Sequence, residues 1–354
     1  MKAFLKRKNI IISWKRYGID AMSAMAQGLF ASLLIGTIIK TIGEQGGIAA
    51  ADIAWLKQLC DWLVDIGKFA TSVAGPAMAI SIAVALQAPP LVVFSAAAVG
   101  YAANAKGGAG GPLAVLLIAI IAVEFGKFVS KTTKVDILVT PFVTIVIGGL
   151  LAIWTAPYIG EAALWLGEIT MKATVKFPWL MGPLVAVVIG VALTLPISSA
   201  AICASLALQG LAGGAAVAGC CAQMVGFAVL SFKENRFGGL VSQGIGTSML
   251  QMGNIAKKPS LWIAPIIASA IGGLVATNVF SLEMNGTPLS AGMGTCGLVG
   301  QIGVITGWNG SAGWFDWLGL ILISFVLPAV ICFVLGQAFR KAGLIKDGDL
   351  KLAE

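Results

Sequence analysis

The stretch GPAMAISIAVALQAPP, residues 75–90, decides the fold class. It carries no charge and closes on a pair of prolines. A near copy, GPLVAVVIGVALTLPI, begins at Gly182, an offset of 107, and sets Pro196 in register with Pro89. Further on, PFVTIVIGGLLA from Pro141 matches PIIASAIGGLVA from Pro265, an offset of 124. Apolar runs approaching twenty residues, continuous rather than alternating, read as membrane-spanning helices and not as barrel strands. Their recurrence with the same prolines and Gly-Gly pairs reads as an internal duplication. Such duplications are common in transporters, whose sites lie at the repeat interface near the midplane.

Composition agrees. Of 354 residues, 58% are hydrophobic and 11% charged, against about a quarter charged in a soluble domain. Candidate spans fall at 17–39, 70–88, 90–104, 112–130, 137–154, 178–195, 197–209, 211–231, 261–280 and 315–340; 90–104 and 197–209 are short, and a full crossing and a broken or tilted helix are both open for them. Two stretches, 52–69 and 158–173, look amphipathic and are expected to lie along the interface. The expected fold is an all-α polytopic membrane protein with about ten transmembrane helices in two parallel four-span repeats. Residues 1–354 form one membrane domain in this reading: repeat 1 at 70–155, repeat 2 at 178–280, and an outer re-entrant loop plus the last span at 281–340.

The net charge of +8 follows the same layout. With the N-terminus inside, most lysines and arginines fall in inner loops, as the positive-inside rule requires. Both termini are then cytoplasmic, and the charge needs no nucleic-acid partner. The basic N-terminus precedes an apolar run from about 21 to 39. That run is too long for a signal peptide and is read as the first span. The chain has no histidine, which excludes a histidine base, a histidine metal site and a phosphohistidine. The six cysteines show no CxxC spacing and read as small buried hydrophobes. No cofactor and no metal are expected.

Against this apolar background, SQGIGTSMLQMGNIAKK (242–258) is polar and rich in glycine. If 243–254 were one helix, Gln243, Thr247, Gln251 and Asn254 would share a narrow face, opposite Ile245, Met249 and Met252. The segment leaves and rejoins inner loops, which suggests a re-entrant hairpin. Seventeen residues separate the two repeat offsets, so the segment elaborates the second copy alone. Neutral amides and hydroxyls suit a neutral polyol such as a sugar. Hydrogen bonding that joins helices is the alternative use of the same face. A second segment, SAGMGTCGLVGQIGVITGWNG (290–310), holds Thr295 and Gln301 and reads as an outer re-entrant loop. Its GMGTCG lacks the strand–turn–helix context of a dinucleotide fingerprint. Two hairpins entering from opposite faces would form an alternating-access site.

Glu124 lies inside the 112–130 run, roughly 9 Å from its inner end at ~1.5 Å per residue. Pairing with Lys127 at i+3 is one reading. A proton relay or a base for a substrate hydroxyl is the other, which makes Glu124 the one catalytic candidate. Glu283 and Asp316 are weaker candidates near the outer boundary.

GIGTSMLQMGNI (244–255), SLWIAPIIASAIGGLVAT (260–277) and AGMGTCGLVGQIG (291–303) together resemble the membrane IIC proteins of the bacterial sugar phosphotransferase system. The subgroup that includes the perfringolysin O regulator is the nearer match. The resemblance covers about residues 15–340. It implies a permease of the bacterial inner membrane, a homodimer, that carries a sugar inward while separate IIA and IIB proteins supply phosphate. The Gly-Ile-Thr-Glu motif and the substrate-site histidine of glucose-type IIC proteins are missing, so no residue roles transfer. A phosphotransfer-independent secondary transporter and a membrane sensor that regulates gene expression are the alternative readings.

Overall fold

The computed structural model describes residues 2–49, 53–176, 180–308 and 312–352. Among these, regular structure is helical throughout, with one isolated β-bridge between Gly210 and Met284. The chain divides into two compact units, Met1–Gly160 and Glu161–Glu354.

The first unit begins with α1 (Lys2–Arg7) and continues into a helix that starts at Lys15. Two π-helical turns, Lys15–Asp20 and Phe30–Leu34, flank α2 (Ala21–Leu29) and lead into α3 (Ile35–Ala49). Next, α4 (Ala54–Ser72) runs back antiparallel to α3. Glycines permit the approach: a side chain at Gly36 would meet Ala70, one at Gly43 would meet Cys60, and one at Gly67 would meet Lys40. The stretch expected to lie along the interface is therefore paired lengthwise with the first long helix. Its Trp55, Trp62 and Phe69 remain exposed on another side.

A 47° bend at Val73 leads into α5 (Ala74–Ala85). Then α6 (Pro90–Gly107) and α7 (Gly111–Val129) form a tight antiparallel pair that turns at Gly108. That residue's φ of +50° is open to glycine without strain. Gly126 near the end of α7 lies against Val92 near the start of α6, so the 90–104 stretch is a complete 18-residue helix. Gly75 and Gly100 bring α5 and α6 into backbone contact. The long helix α8 (Asp136–Lys176) packs Thr144 and Gly148 on α7 and α6. It continues through Pro157 and across the boundary at Gly160. The expected separate interfacial helix at 158–173 is thus a continuation of α8. A proline within a long apolar helix removes one hydrogen bond and need not end it.

The second unit is organised about α11 (Gly210–Leu230), buried along most of its length. Its sequence is small and apolar all round, the pattern of a helix with neighbours on every side. Packed against it are α9 (Met181–Thr194), α14 (Ile263–Asn278) and α18 (Leu327–Lys341). The expected span at 197–209 is only the seven-residue α10 (Ser199–Ser205) between two turns. Ser198 caps it, and Ala207 takes φ +48°, so its flanks cannot continue as helix. The remaining elements are α12 (Phe232–Val241), α13 (Met252–Lys257), α15 (Pro288–Ala291), α16 (Val299–Gly307) and α17 (Trp314–Ile321), the last joined to α18 by a π turn.

Six described stretches are long and apolar enough to cross a membrane, or seven if the bent pair Ala54–Ser72 and Ala74–Ala85 counts as one. The ten expected spans are not reproduced one for one, because α10 is short and α9 has 14 described residues. The matched sequence blocks at Gly75 and Gly182 fall in different units.

Candidate functional site

The two polar segments singled out in the sequence meet beside α11: the π turn Ser242–Gly246 packs on the 3₁₀ turn Cys296–Leu298. One segment approaches from the end of α11 that carries Leu230, where Gly244 lies against Ala228. The other comes from the end that carries Gly210 and reaches Cys220, which lies against Gly294.

The first segment is not the continuous helix its spacing suggests. A π turn ends at Gly246, Thr247 is extended (φ −159°, ψ 143°), and a 3₁₀ turn (Ser248–Gln251) precedes α13. The Thr247 hydroxyl accepts from the Met249 amide at 3.1 Å. A threonine that caps the next turn competes with helix continuation. Thr247 therefore leaves the expected face, while Gln243, Gln251 and Asn254 still converge. Met249 and Met252 are buried as well, whereas Ile245 is exposed, so protein surrounds the segment on both sides only from Thr247 onward.

The three amides form a chain. Gln243 Nε2 donates to Ser231 Oγ at 2.8 Å and to the Gly239 carbonyl at 3.0 Å. Gln251 Nε2 donates to Gln243 Oε1 at 2.9 Å and to the Leu350 carbonyl at 3.0 Å. Asn254 Nδ2 donates to Gln251 Oε1 and to the Lys351 carbonyl, both at 2.8 Å. The C-terminal tail is thus part of the arrangement. Leu350 and Ile345 are buried, Asn235 brackets the tail through the Leu350 carbonyl and the Leu352 amide, and Lys258 holds Asp349 at 2.6 Å. Sequence reasoning missed the tail. The available signal was two apolar residues, Ile345 and Leu350, spaced among charges.

A second cluster was also missed. Gln223, fully buried on α11, accepts from Trp262 Nε1 at 2.8 Å and from Thr194 Oγ1 at 3.2 Å, and its amide donates to Ser269 Oγ at 3.0 Å. Thr194 lies 2.7 Å from Ser248 of the polar segment. The sequence signal was a lone glutamine inside an apolar run, which in a membrane helix faces protein and finds partners.

Gln301 and Thr295 stand on the opposite approach. Gln301 Nε2 donates to Ser324 Oγ at 3.0 Å and to Cys221 Sγ at 3.2 Å. Its Oε1 is buried with no hydrogen-bond donor among the described residues. Thr295 is fully buried, with its hydroxyl 3.5 Å from Met224 Sδ. An acceptor without a donor is costly in an apolar interior, so it is the place where a donor from outside the chain would be most welcome.

Glu124 belongs to the other unit. Its two carboxylate oxygens lie 3.0–3.1 Å from Lys127 Nζ, and Lys127 is only 1% exposed. The same ammonium donates to the carbonyls of Asn9 (2.7 Å) and Leu86 (3.1 Å). Buried Arg16 also donates to Leu86, at 2.5 Å. These two cations sit on the C-terminal carbonyls of α5, where the helix dipole favours positive charge. The weaker candidates have local partners: Glu283 accepts from Asn285, and Asp316 caps the amide of Gly313. All six cysteines are buried and unpaired. No group of three His, Cys, Asp or Glu residues gathers among the described residues.

Stacked apolar helices interrupted by buried uncharged polar clusters define a multi-pass membrane protein. Residues 19–352 match the family described as Phosphotransferase system, EIIC, and the chain belongs to that family. It is therefore a permease-type membrane component of a sugar phosphotransferase system, whose general partners are a sugar and the IIA and IIB proteins. No curated protein and no solved structure matches the chain.

Proposed function

We propose that the protein binds a neutral sugar where the two polar segments meet beside α11 and moves it inward by alternating access. The observation that carries this reading is the character of that region. Thr194, Gln223, Ser248, Thr295, Gln301 and Ser324 are all buried and all uncharged, and one acceptor, Gln301 Oε1, still has room for a donor. A sugar hydroxyl supplies that donor without bringing charge into the membrane. The amide chain Gln243–Gln251–Asn254 positions the first segment. Its donors become available to a ligand when the carbonyls of Leu350 and Lys351 withdraw. Both termini face the cytoplasm, separate IIA and IIB proteins deliver phosphate there, and two copies assemble as a homodimer.

The test is uptake of a labelled sugar panel by cells expressing the protein, with and without its genomic neighbours, followed by analysis of the accumulated label. Phosphorylated sugar that depends on the neighbours is the expected result. Free sugar inside the cell would mean transport without phosphotransfer, and no uptake of any neutral sugar would overturn the substrate class. Gln301→Ala is expected to weaken sugar binding about tenfold, the worth of one buried hydrogen bond to a polar ligand, and to lower the melting midpoint as its bonds to Ser324 and Cys221 are lost. Unaltered affinity in a folded Gln301→Ala protein would remove the second segment from the site.

A further inference from the structure

A cavity of about 570 Å³ lies outside this site, among the last turn of α11, α12 and the far end of α18. Three cations line it: Lys233, Arg236 and Arg340. Arg340 is bonded to Glu234 at 2.9 and 3.0 Å. Lys233 holds the Asp347 carboxylate at 2.7 and 2.8 Å, and Arg340 reaches the same carboxylate at 3.2 Å. Arg236 makes no hydrogen bond or ion pair among the described residues. Three positive and two negative charges leave one cation over, and it is the unpaired one.

Arg236 also has an unusual backbone. Its φ of 51° and ψ of −148° break α12 in a region otherwise used by glycine. A non-glycine residue held there directs a guanidinium where regular helix would not put it. Two of the three cations already hold an oxyanion, since Asp347 of the C-terminal tail bonds to Lys233 and Arg340 and its carboxyl is held below the usual range by Lys233. A carboxylate so placed is 72% exposed, so a competing anion can reach the same cations.

The cation-lined cavity has a second cavity beside it. Val229 and Leu240 line it and also line an adjoining cavity of about 330 Å³, whose other walls include Val225, Ile245, Phe325 and Ala329. That second space has apolar walls alone. A cationic pocket that shares two walls with an apolar slot, between helices of a membrane protein, fits a phosphate headgroup with an acyl chain beside it. Arginine recognises phosphate through paired N–H donors, and lysine adds a compact charge.

We propose that Lys233, Arg236 and Arg340 form a binding site for a phosphate group, with an anionic phospholipid as the source that the adjoining apolar cavity favours. The phosphate displaces Asp347 and so loosens the tail at that point. None of the three cations belongs to the proposed sugar site, and the adjoining cavity touches it only through Gly244 and Ile245 of the turn Ser242–Gly246.

Native mass spectrometry of the full-length protein in detergent tests it directly. The probes are dioleoyl phosphatidylglycerol, dioleoyl phosphatidylcholine and glucose 6-phosphate. Saturable binding of one phosphatidylglycerol is expected, roughly tenfold tighter than phosphatidylcholine, and Arg236→Gln should weaken it by about the same factor. Asp347→Asn removes the competing carboxylate and should raise affinity severalfold, a gain that misfolding cannot mimic. Asp65→Asn, a charge change in the other unit, should leave it unaltered. Glucose 6-phosphate binding with no lipid binding would retain the phosphate site and overturn the lipid. Binding of neither probe, or binding indifferent to both Arg236→Gln and Asp347→Asn, would overturn the site itself.

Discussion

Glu124→Gln is expected to destabilise the protein by about 3–5 kcal/mol, the cost of leaving a buried charge without its partner. The reason lies in the surroundings of Lys127. Its ammonium is 1% exposed and touches one carboxylate and two backbone carbonyls. Arg16, also buried, shares the Leu86 carbonyl. Removing the carboxylate charge leaves two cations facing uncharged oxygens alone. A glutamine can still accept a hydrogen bond, so the loss is electrostatic rather than a cavity. Glu124→Gln/Lys127→Met should recover much of the loss, because it removes the stranded cation together with its partner. Thermal melting of the purified protein in detergent checks both, read beside uptake. A Glu124→Gln protein that melts normally but transports nothing would make the carboxylate a proton-handling group instead.

This pair shows how far a sequence reading reaches and where it stops. An i, i+3 Glu–Lys pair on an apolar helix is visible in the sequence, and the structure contains it. Its depth is not visible, because tertiary packing brings to it Leu86 at the end of α5, 41 positions from Lys127, and Arg16, 70 positions before Leu86. The polar segment at 242–258 behaves similarly. Its convergence of Gln243, Gln251 and Asn254 was legible from helical spacing. The break at Thr247 was not, since one cap hydrogen bond there outweighs the periodicity. The partners of those amides lie about a hundred positions away in the tail, where no local pattern points to them. Long apolar runs such as α7 and α11 were read correctly because membrane burial demands continuous apolarity. At 197–209 the sequence left a full span and a broken one open, because an apolar run alone does not distinguish a span from a broken buried turn, and the structure has the short α10 there.

The tightest helix contact gives the second large effect. Gly219→Ala is expected to destabilise by about 3 kcal/mol or more, the upper end for overpacked cores. A methyl group at Gly219 would overlap the Ala186 carbonyl oxygen and lie 2.5 Å from its carbon. Both atoms are backbone, so no side-chain rotamer change relieves the clash, and α9 must move away from α11. The opposite face gives no slack: a methyl at Gly190 would stand 2.6 Å from the Gly219 carbonyl oxygen. On its other side α9 is fixed to α14 through Gly182 and Gly273. Such backbone-to-backbone approach is how helices associate in lipid, where apolar burial alone gives little drive. The displacement also separates Thr194 on α9 from Gln223 on α11, now 3.2 Å apart. That leaves a buried glutamine short of a donor and adds its own cost. Gly149→Ala is the matched control. Nothing lies within 4 Å of a methyl there, and alanine is the better helix former by about 1 kcal/mol. Its melting midpoint should stay level or rise. If Gly219→Ala instead melts with Gly149→Ala, close packing of α9 on α11 is not what holds the second unit together, and the polar cluster around Gln223 must carry more of its stability than its hydrogen bonds suggest.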